Sequence, residues 1–135
     1  MSNNPISKLD AHESWALLSG VRLGRLSAAG TTSPDIHPVS YVTHAGKIFF
    51  RTGVASRLLT EAQNRDVAFE AAWQEAESAW SVVVLGHASV LSDGERAVLD
   101  SLPILDFAPN IDDVWLSITP SELRGRRFSL ITEEH

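Results

Sequence analysis

The sequence predicts a mainly β chain, an antiparallel sheet of short strands closed into a small barrel. Three observations carry this. Apolar residues alternate with period two over many short runs. Only two or three short segments show helical spacing. The 135 residues suffice for one core but not for two. A two-layer α+β sandwich is the alternative.

The elements are read in chain order. Asp10 to Gly20 reads as a short helix, with Asp10 as its cap, Glu13 three residues on as in a capping box, and Gly20 at its end. Val21, Leu23, Leu26 and Ala28 read as a strand, with Gly24 as a kink or bulge. Gly30 to Asp35 is a turn by composition. Ile36 to His44 is the second strand, with Val39, Tyr41 and Thr43 on one face, and Pro38 marks an edge, a bulge or a functional break. Ala45-Gly46 turns the chain into a third strand, Lys47 to Thr52. Ala55 to Asn64 places Leu58, Leu59 and Ala62 at helical spacing.

Asp66 to Trp73 is the fourth strand and Trp80 to Leu91 the fifth, joined by a polar stretch from Glu75 to Ala79. Ser92-Asp93 caps a helix running from about Gly94 to Leu102, and Pro103, Pro109 and Asn110 break the next stretch. Val114 to Thr119 is a sixth strand that Pro120 ends, and Glu122 to Ile131 is either a seventh or a terminal extension. Residues 1–8 and 132–135 read as frayed tails, so one domain spans 1–135 with its core over about 9–131.

Composition narrows the function. A formal charge of −6 lacks the positive field that nucleic-acid or polybasic membrane binding needs, so neither partner is expected. The absence of Cys removes disulfides, zinc-thiolate sites, iron–sulfur clusters and thiol nucleophiles, and fits a cytoplasmic protein. No signal layout or membrane-length apolar run occurs.

The stretch from Phe50 to Leu58 is the most informative. It runs from a strand through Gly53 into a helix start, where unpaired amides, the Ser56 hydroxyl and the Arg57 fork would make a phosphate cradle. The competing reading makes Ser56 a helix cap and Arg57 a solvated charge. Trp80-Ser81 opens a strand, where the Trp is either packed in the core or beside a planar cofactor. Arg124, Arg126 and Arg127 concentrate basic charge in an acidic chain, either as a solvated face or as an anion site. The five His show no metal-ligand spacing, so no metal is expected, and His87 reads as a packed residue. Glu70 is expected to pair with Arg51 across strands.

Taken in order, Glu13-Ser14-Trp15, Gly24-Arg25-Leu26, Pro38-Val39-Ser40-Tyr41, Ile48 to Thr52, Ser56-Arg57-Leu58, Val67 to Glu70, Trp80 to Val84 and Gly125-Arg126-Arg127-Phe128 resemble the pyridoxamine 5′-phosphate oxidase-like flavin-binding split-barrel family, especially its short actinobacterial-type members. The resemblance covers residues 9 to 128. It implies a six-stranded Greek-key split barrel that works as a homodimer, with flavin mononucleotide (FMN) in clefts at the interface. Residue by residue, it implies that Pro38, Val39, Ser40 and Tyr41 line the ring with backbone groups. Arg51 and Thr52 would contact the ring edge or the phosphate side, and Ser56 and Arg57 the phosphate. Trp80 and Ser81 would approach the flavin, and Arg126 or Arg127 would reach it, from the second subunit in one arrangement.

Two positions depart from the short relatives: Ser40 stands for their usual Asn and Arg57 for Lys. The Arg-x-His pair with which the true oxidase grips its substrate is missing from Leu123-Arg124-Gly125, where Gly125 stands in place of a side chain. The function expected from the resemblance is a flavin-dependent oxidoreductase on an unidentified small molecule, distinct from pyridoxamine phosphate oxidation. The alternatives are a reductase using the deazaflavin coenzyme and a non-catalytic flavin or haem carrier. Trp80, Trp115 and the run Val82 to Leu85 are the surface expected to meet the second subunit.

Overall fold

The computed structural model describes residues 5–99 and 113–130. Its elements are β1 (Ile6–Leu9), α1 (Ala11–Ser19), β2 (Leu23–Ala28), β3 (His37–His44), β4 (Lys47–Gly53), α2 (Arg57–Ala62), β5 (Arg65–Gln74), β6 (Ser78–Val90), α3 (Asp93–Leu99) and β7 (Asp113–Ser129). The expected helix end at Leu102, the breaks at Pro103, Pro109 and Asn110, and the tail 132–135 lie outside the described residues.

The strands run β1-β7-β4-β3-β2-β5-β6, and β7 also pairs with β6. That last pairing joins the sheet into a closed six-strand ring, with β1 outside it along β7. Strands β2, β3 and β4 are consecutive neighbours, and β5 returns beside β2 through α2, which is a Greek key. Alternation along each strand sends one set of side chains inward. Leu26, Val39, Tyr41, Ile48, Phe50, Phe69, Val82, Val84, Leu116 and Ile118 fill the barrel. Phe49 and Leu91 pack with Leu99 of α3 in a second cluster, supported by Val42 and Trp115.

Local chemistry sets the element ends. Asp10 Oδ1 accepts the Glu13 N–H at 2.8 Å, and the Gly20 N–H returns to the carbonyls of Leu17 and Leu18. The β3–β4 turn has positive φ at both Ala45 and Gly46, 50° and 74°, as tight hairpins require. α2 starts at Arg57 because Ser56 is its cap, and it ends at Gln63, with Asn64 left-handed beyond it. No helix among the described residues is long and apolar enough to cross a membrane.

Three expectations change. Residues 6–9 are not a frayed tail: they pair with Phe128 to Gly125, because β7 continues beyond the reach of β4 and offers β1 a free edge. Pro120 does not end a strand. β7 runs through it, and the register slips at Leu85/Gly86, where Leu85 faces Glu122 and Gly86 faces Pro120. Ser121 is the extra residue of that bulge, and its hydroxyl donates to the Leu85 carbonyl at 3.1 Å. Gly24 is neither kink nor bulge, since the β2–β3 register runs through it without a shift from Leu23 to Leu26. A Cβ there would strike the Phe69 ring and the Glu70 carbonyl, so glycine answers a close approach.

Candidate functional site

β3 and β4 pair from His44–Lys47 up to Tyr41–Phe50, and beyond that the two strands part. Residues 37–40 pair with β2 alone, while β4 continues to Gly53 along β7. Pro38, which cannot donate to a ladder, lies opposite Arg25 in this unzipped stretch. Pro38 and Ser40 lie on the outward face, while Val39 and Tyr41 point into the core. The Tyr41 hydroxyl donates to the Leu18 carbonyl at 2.7 Å, and burial pushes its phenol above the ordinary range. What Tyr41 offers the outer surface is therefore backbone.

The chain then turns from β4 into α2. The Ser56 N–H returns to the Gly53 carbonyl at 3.0 Å. The Ser56 hydroxyl accepts the Leu59 N–H at 3.1 Å and lies 2.7 Å from Thr52 Oγ1. Arg57, one residue on, is ion-paired. Its Nε donates to Glu61 Oε1 at 2.9 Å, and its Nη1 lies 3.6 Å from Asp35 Oδ2. His37 Nε2 meets Glu61 Oε2 at 2.8 Å and stands 3.8 Å from Asp35 Oδ2. Hydrogen bonds from His37 and then Arg57 hold the Glu61 carboxyl below its usual range, and Glu61 and Asp35 hold Arg57 above its own. Ligand-type atoms of Asp35, His37 and Glu61 lie within 4.8 Å of one another, but Arg57 already counters both carboxylates.

Arg51 adjoins this corner on β4, and the other sequence candidates group elsewhere. Arg51 pairs with Trp115 and stacks on its indole at 5.7 Å, while Glu70 takes Arg25 at 3.1 Å instead of the expected Arg51. The register decides this, since Glu70 faces Arg25 directly. Trp80 faces Arg127, and Ser81 faces Arg126. Arg127 lies 3.8 Å from Glu75, and Arg126 is exposed with no side-chain partner among the described residues. From Tyr41 to Trp80 the path crosses β2 and β5, three strand spacings or about 14 Å. The structure thus forms two groups: Pro38 to Tyr41 with Arg51, Thr52, Ser56 and Arg57, and Trp80, Ser81, Arg126 and Arg127.

Two further expectations are corrected. His87 is exposed, with Nδ1 3.1 Å from Asp66, because position 87 falls on the outer face of β6. Trp80, Val82 and Val84 are spent in the chain's own core, so they offer a partner no surface. The exposed large apolar side chains include Leu23, Ile36, Val54 and Trp73. Sequence reasoning also missed Asp35 and Glu61. The signal for Glu61 was present, as it comes four residues after Arg57 on one helix.

The family model described as pyridoxamine 5′-phosphate oxidase matches residues 10–127. The chain belongs to that family. It is similar to a Corynebacterium glutamicum structure provisionally named a pyridoxamine 5′-phosphate oxidase, at 31% identity over 98% of this chain and 100% of that one, with a TM-score of 0.83. It is also similar to the structure of an FAD-binding protein from Mycobacterium smegmatis, at 31% identity over 92% of this chain and 99% of that one, with a TM-score of 0.82. An uncharacterized protein of Mycobacterium tuberculosis is 26% identical over 134 residues, covering 94% of this chain and 88% of that one. In this member of the pyridoxamine 5′-phosphate oxidase family, Gly125 is a packing position. A Cβ there would collide with Ser14 Oγ of α1 and come within 3.0 Å of Leu9 Cβ, so no side chain could project from it.

Proposed function

We propose that this chain binds a flavin nucleotide, works as a homodimer, and uses the flavin to oxidise or reduce a small molecule other than pyridoxamine 5′-phosphate. The observation that carries the reading is the corner at the end of β4. Two hydroxyls 2.7 Å apart, Thr52 and Ser56, adjoin the Arg57 guanidinium, a donor set suited to a phosphate. Beside it, the backbone of Pro38 to Ser40 has no strand partner on the β4 side and would face the polar edge of the ring. The FAD-binding relative at 31% identity supports a flavin. FMN fits the corner as the smallest flavin that carries a phosphate, and FAD shares that phosphate.

The flavin would supply hydride chemistry. The chain's own part is to fix the phosphate, hold the ring against Pro38 to Tyr41 and Arg51, and keep water from its face. In the second group, on another part of the barrel, Ser81, Arg126 and Arg127 would reach a flavin from the partner subunit, while the Trp80 side chain stays in the core behind them. Against pyridoxamine phosphate as substrate stands Leu123 to Phe128: the Arg-x-His grip is missing, and Gly125 is filled by packing.

A deazaflavin coenzyme is the second reading. Its anionic tail needs free cations, and Arg22 and Arg126 have no side-chain partner among the described residues. Haem is less favoured: of the candidate ligands His37, His44 and His87, the first and last are each held by a carboxylate, and His44 is exposed at the end of β3. Titration with FMN, FAD, riboflavin and the deazaflavin, followed in the visible spectrum, tests the proposal. FMN should bind more tightly than riboflavin. Equal affinity would return Ser56 and Arg57 to ordinary helix-start roles.

A further inference from the structure

The Arg57 fork is already occupied. Glu61 and Asp35 hold it from one side, and His37 holds the same two carboxylates from the other. With a neutral imidazole the four side chains sum to −1, and with an imidazolium to zero. A phosphate dianion approaching Arg57 therefore meets two carboxylates that compete for its ligand. Because Glu61 is held ionised, His37 Nε2 carries the hydrogen and donates. His37 Nδ1 has no partner among the described residues.

The other charges on the elements packed against α2 have their own contacts among the described residues. Arg25 and Glu70 pair with each other, Asp66 with His87, and Lys47 with Glu95. Arg65 donates to the carbonyls of Ala29 and Gly30, and Arg51 stacks on Trp115.

We propose that His37 and Glu61 couple phosphate binding at Arg57 to proton uptake. One proton from solvent enters at His37 Nδ1 as the phosphate arrives. The imidazolium becomes the counter-ion of Glu61 and Asp35, and the Arg57 fork passes from them to the phosphate. An imidazole can do this near neutral pH, where carboxylates and guanidinium keep their charge. The inference rests on reading Arg57 as the phosphate ligand. It makes Glu61 a residue that restrains nucleotide affinity.

The test is calorimetric titration of the full chain with FMN and with riboflavin, in two buffers of different ionisation enthalpy. Working near pH 7.5 keeps free phosphate a dianion, since its second pKa is about 6. The wild type should take up protons with FMN and not with riboflavin. His37→Gln should abolish the uptake. Glu61→Gln should bind FMN about three- to tenfold more tightly, with riboflavin unchanged, as removal of one partly exposed opposing charge implies. Uptake that persists in His37→Gln, or FMN affinity that is unchanged or weaker in Glu61→Gln, overturns the coupling. Arg57→Ala separates the two readings, and FMN affinity should fall by about 10- to 150-fold. If it falls while the other variants fail, only the coupling is lost. If it does not fall, or if neither ligand binds, the phosphate reading is lost and the coupling with it.

Discussion

Single side chains carry two of the sharpest expectations. Ser14 is buried, and its hydroxyl has no hydrogen-bond partner among the described residues. It lies where the Cβ of any residue replacing Gly125 would stand. Ser14→Ala removes a buried unpaired polar group and should raise stability by about 1 kcal/mol, while Gly125→Ala overpacks the contact and should cost about 1–3 kcal/mol. Urea melts of both variants check the pair, and opposite signs are expected. Glu61 adds a pH signature. A carboxyl held low in the fold stabilises it at neutral pH, above the unfolded carboxyl's value near 4.3, and that contribution is lost as pH falls through the lower folded value. Wild type should therefore lose more stability than Glu61→Gln between about pH 5 and pH 3. Parallel acid losses in denaturant melts would remove the His37–Glu61–Arg57 network as a stabilising unit.

At the level of elements, the bulge absorbs Ser121 as one extra residue, so that Leu123 and Gly125 of β7 stay opposite Val84 and Val82. Deleting Ser121 would remove the bulge and leave residues 122–129 on their present partners, since Glu122 would follow Pro120 as Leu85 precedes Gly86, with Leu123 and Gly125 still inward. The variant should keep a cooperative thermal transition, and its loss would show that the barrel needs the bend of the bulge and not only the register. This bulge also marks where sequence reading stops. The helix cap at Asp10, the Ala45-Gly46 turn and the alternation of Val39 with Tyr41 are all set by neighbours within four residues, so they were legible. The pairing of Ile6–Leu9 with β7, and its continuation through Pro120, depend on which distant strand lies alongside. The corner of Thr52, Ser56 and Arg57 was legible because it is one continuous stretch. The hold of Asp35 and His37 on it was not, since a turn and a separate strand deliver them.

For the molecule as a whole, the proposed flavin site needs two copies, because its two residue groups sit on different parts of one barrel. Light scattering at micromolar concentration should give a dimer, and an interface of this kind buries upward of about 2,000 Å². A monomer would leave Ser81, Arg126 and Arg127 with no flavin to reach. Flavin-loaded protein given pyridoxamine phosphate under air should form no aldehyde at an ordinary enzymatic rate, on the order of one turnover per second. Such turnover would mean that other cleft residues bind that substrate. The closing strand has a further consequence for synthesis. By residue 99 the ribosome has delivered five of the six ring strands, and none of them can complete the ring. Until β7 emerges, the nascent chain is an open sheet with β4 and β6 as bare edges, the state most exposed to pairing with another chain. A stall before residue 113 would therefore strand a sticky open sheet, and β7 protects all the ring strands made before it.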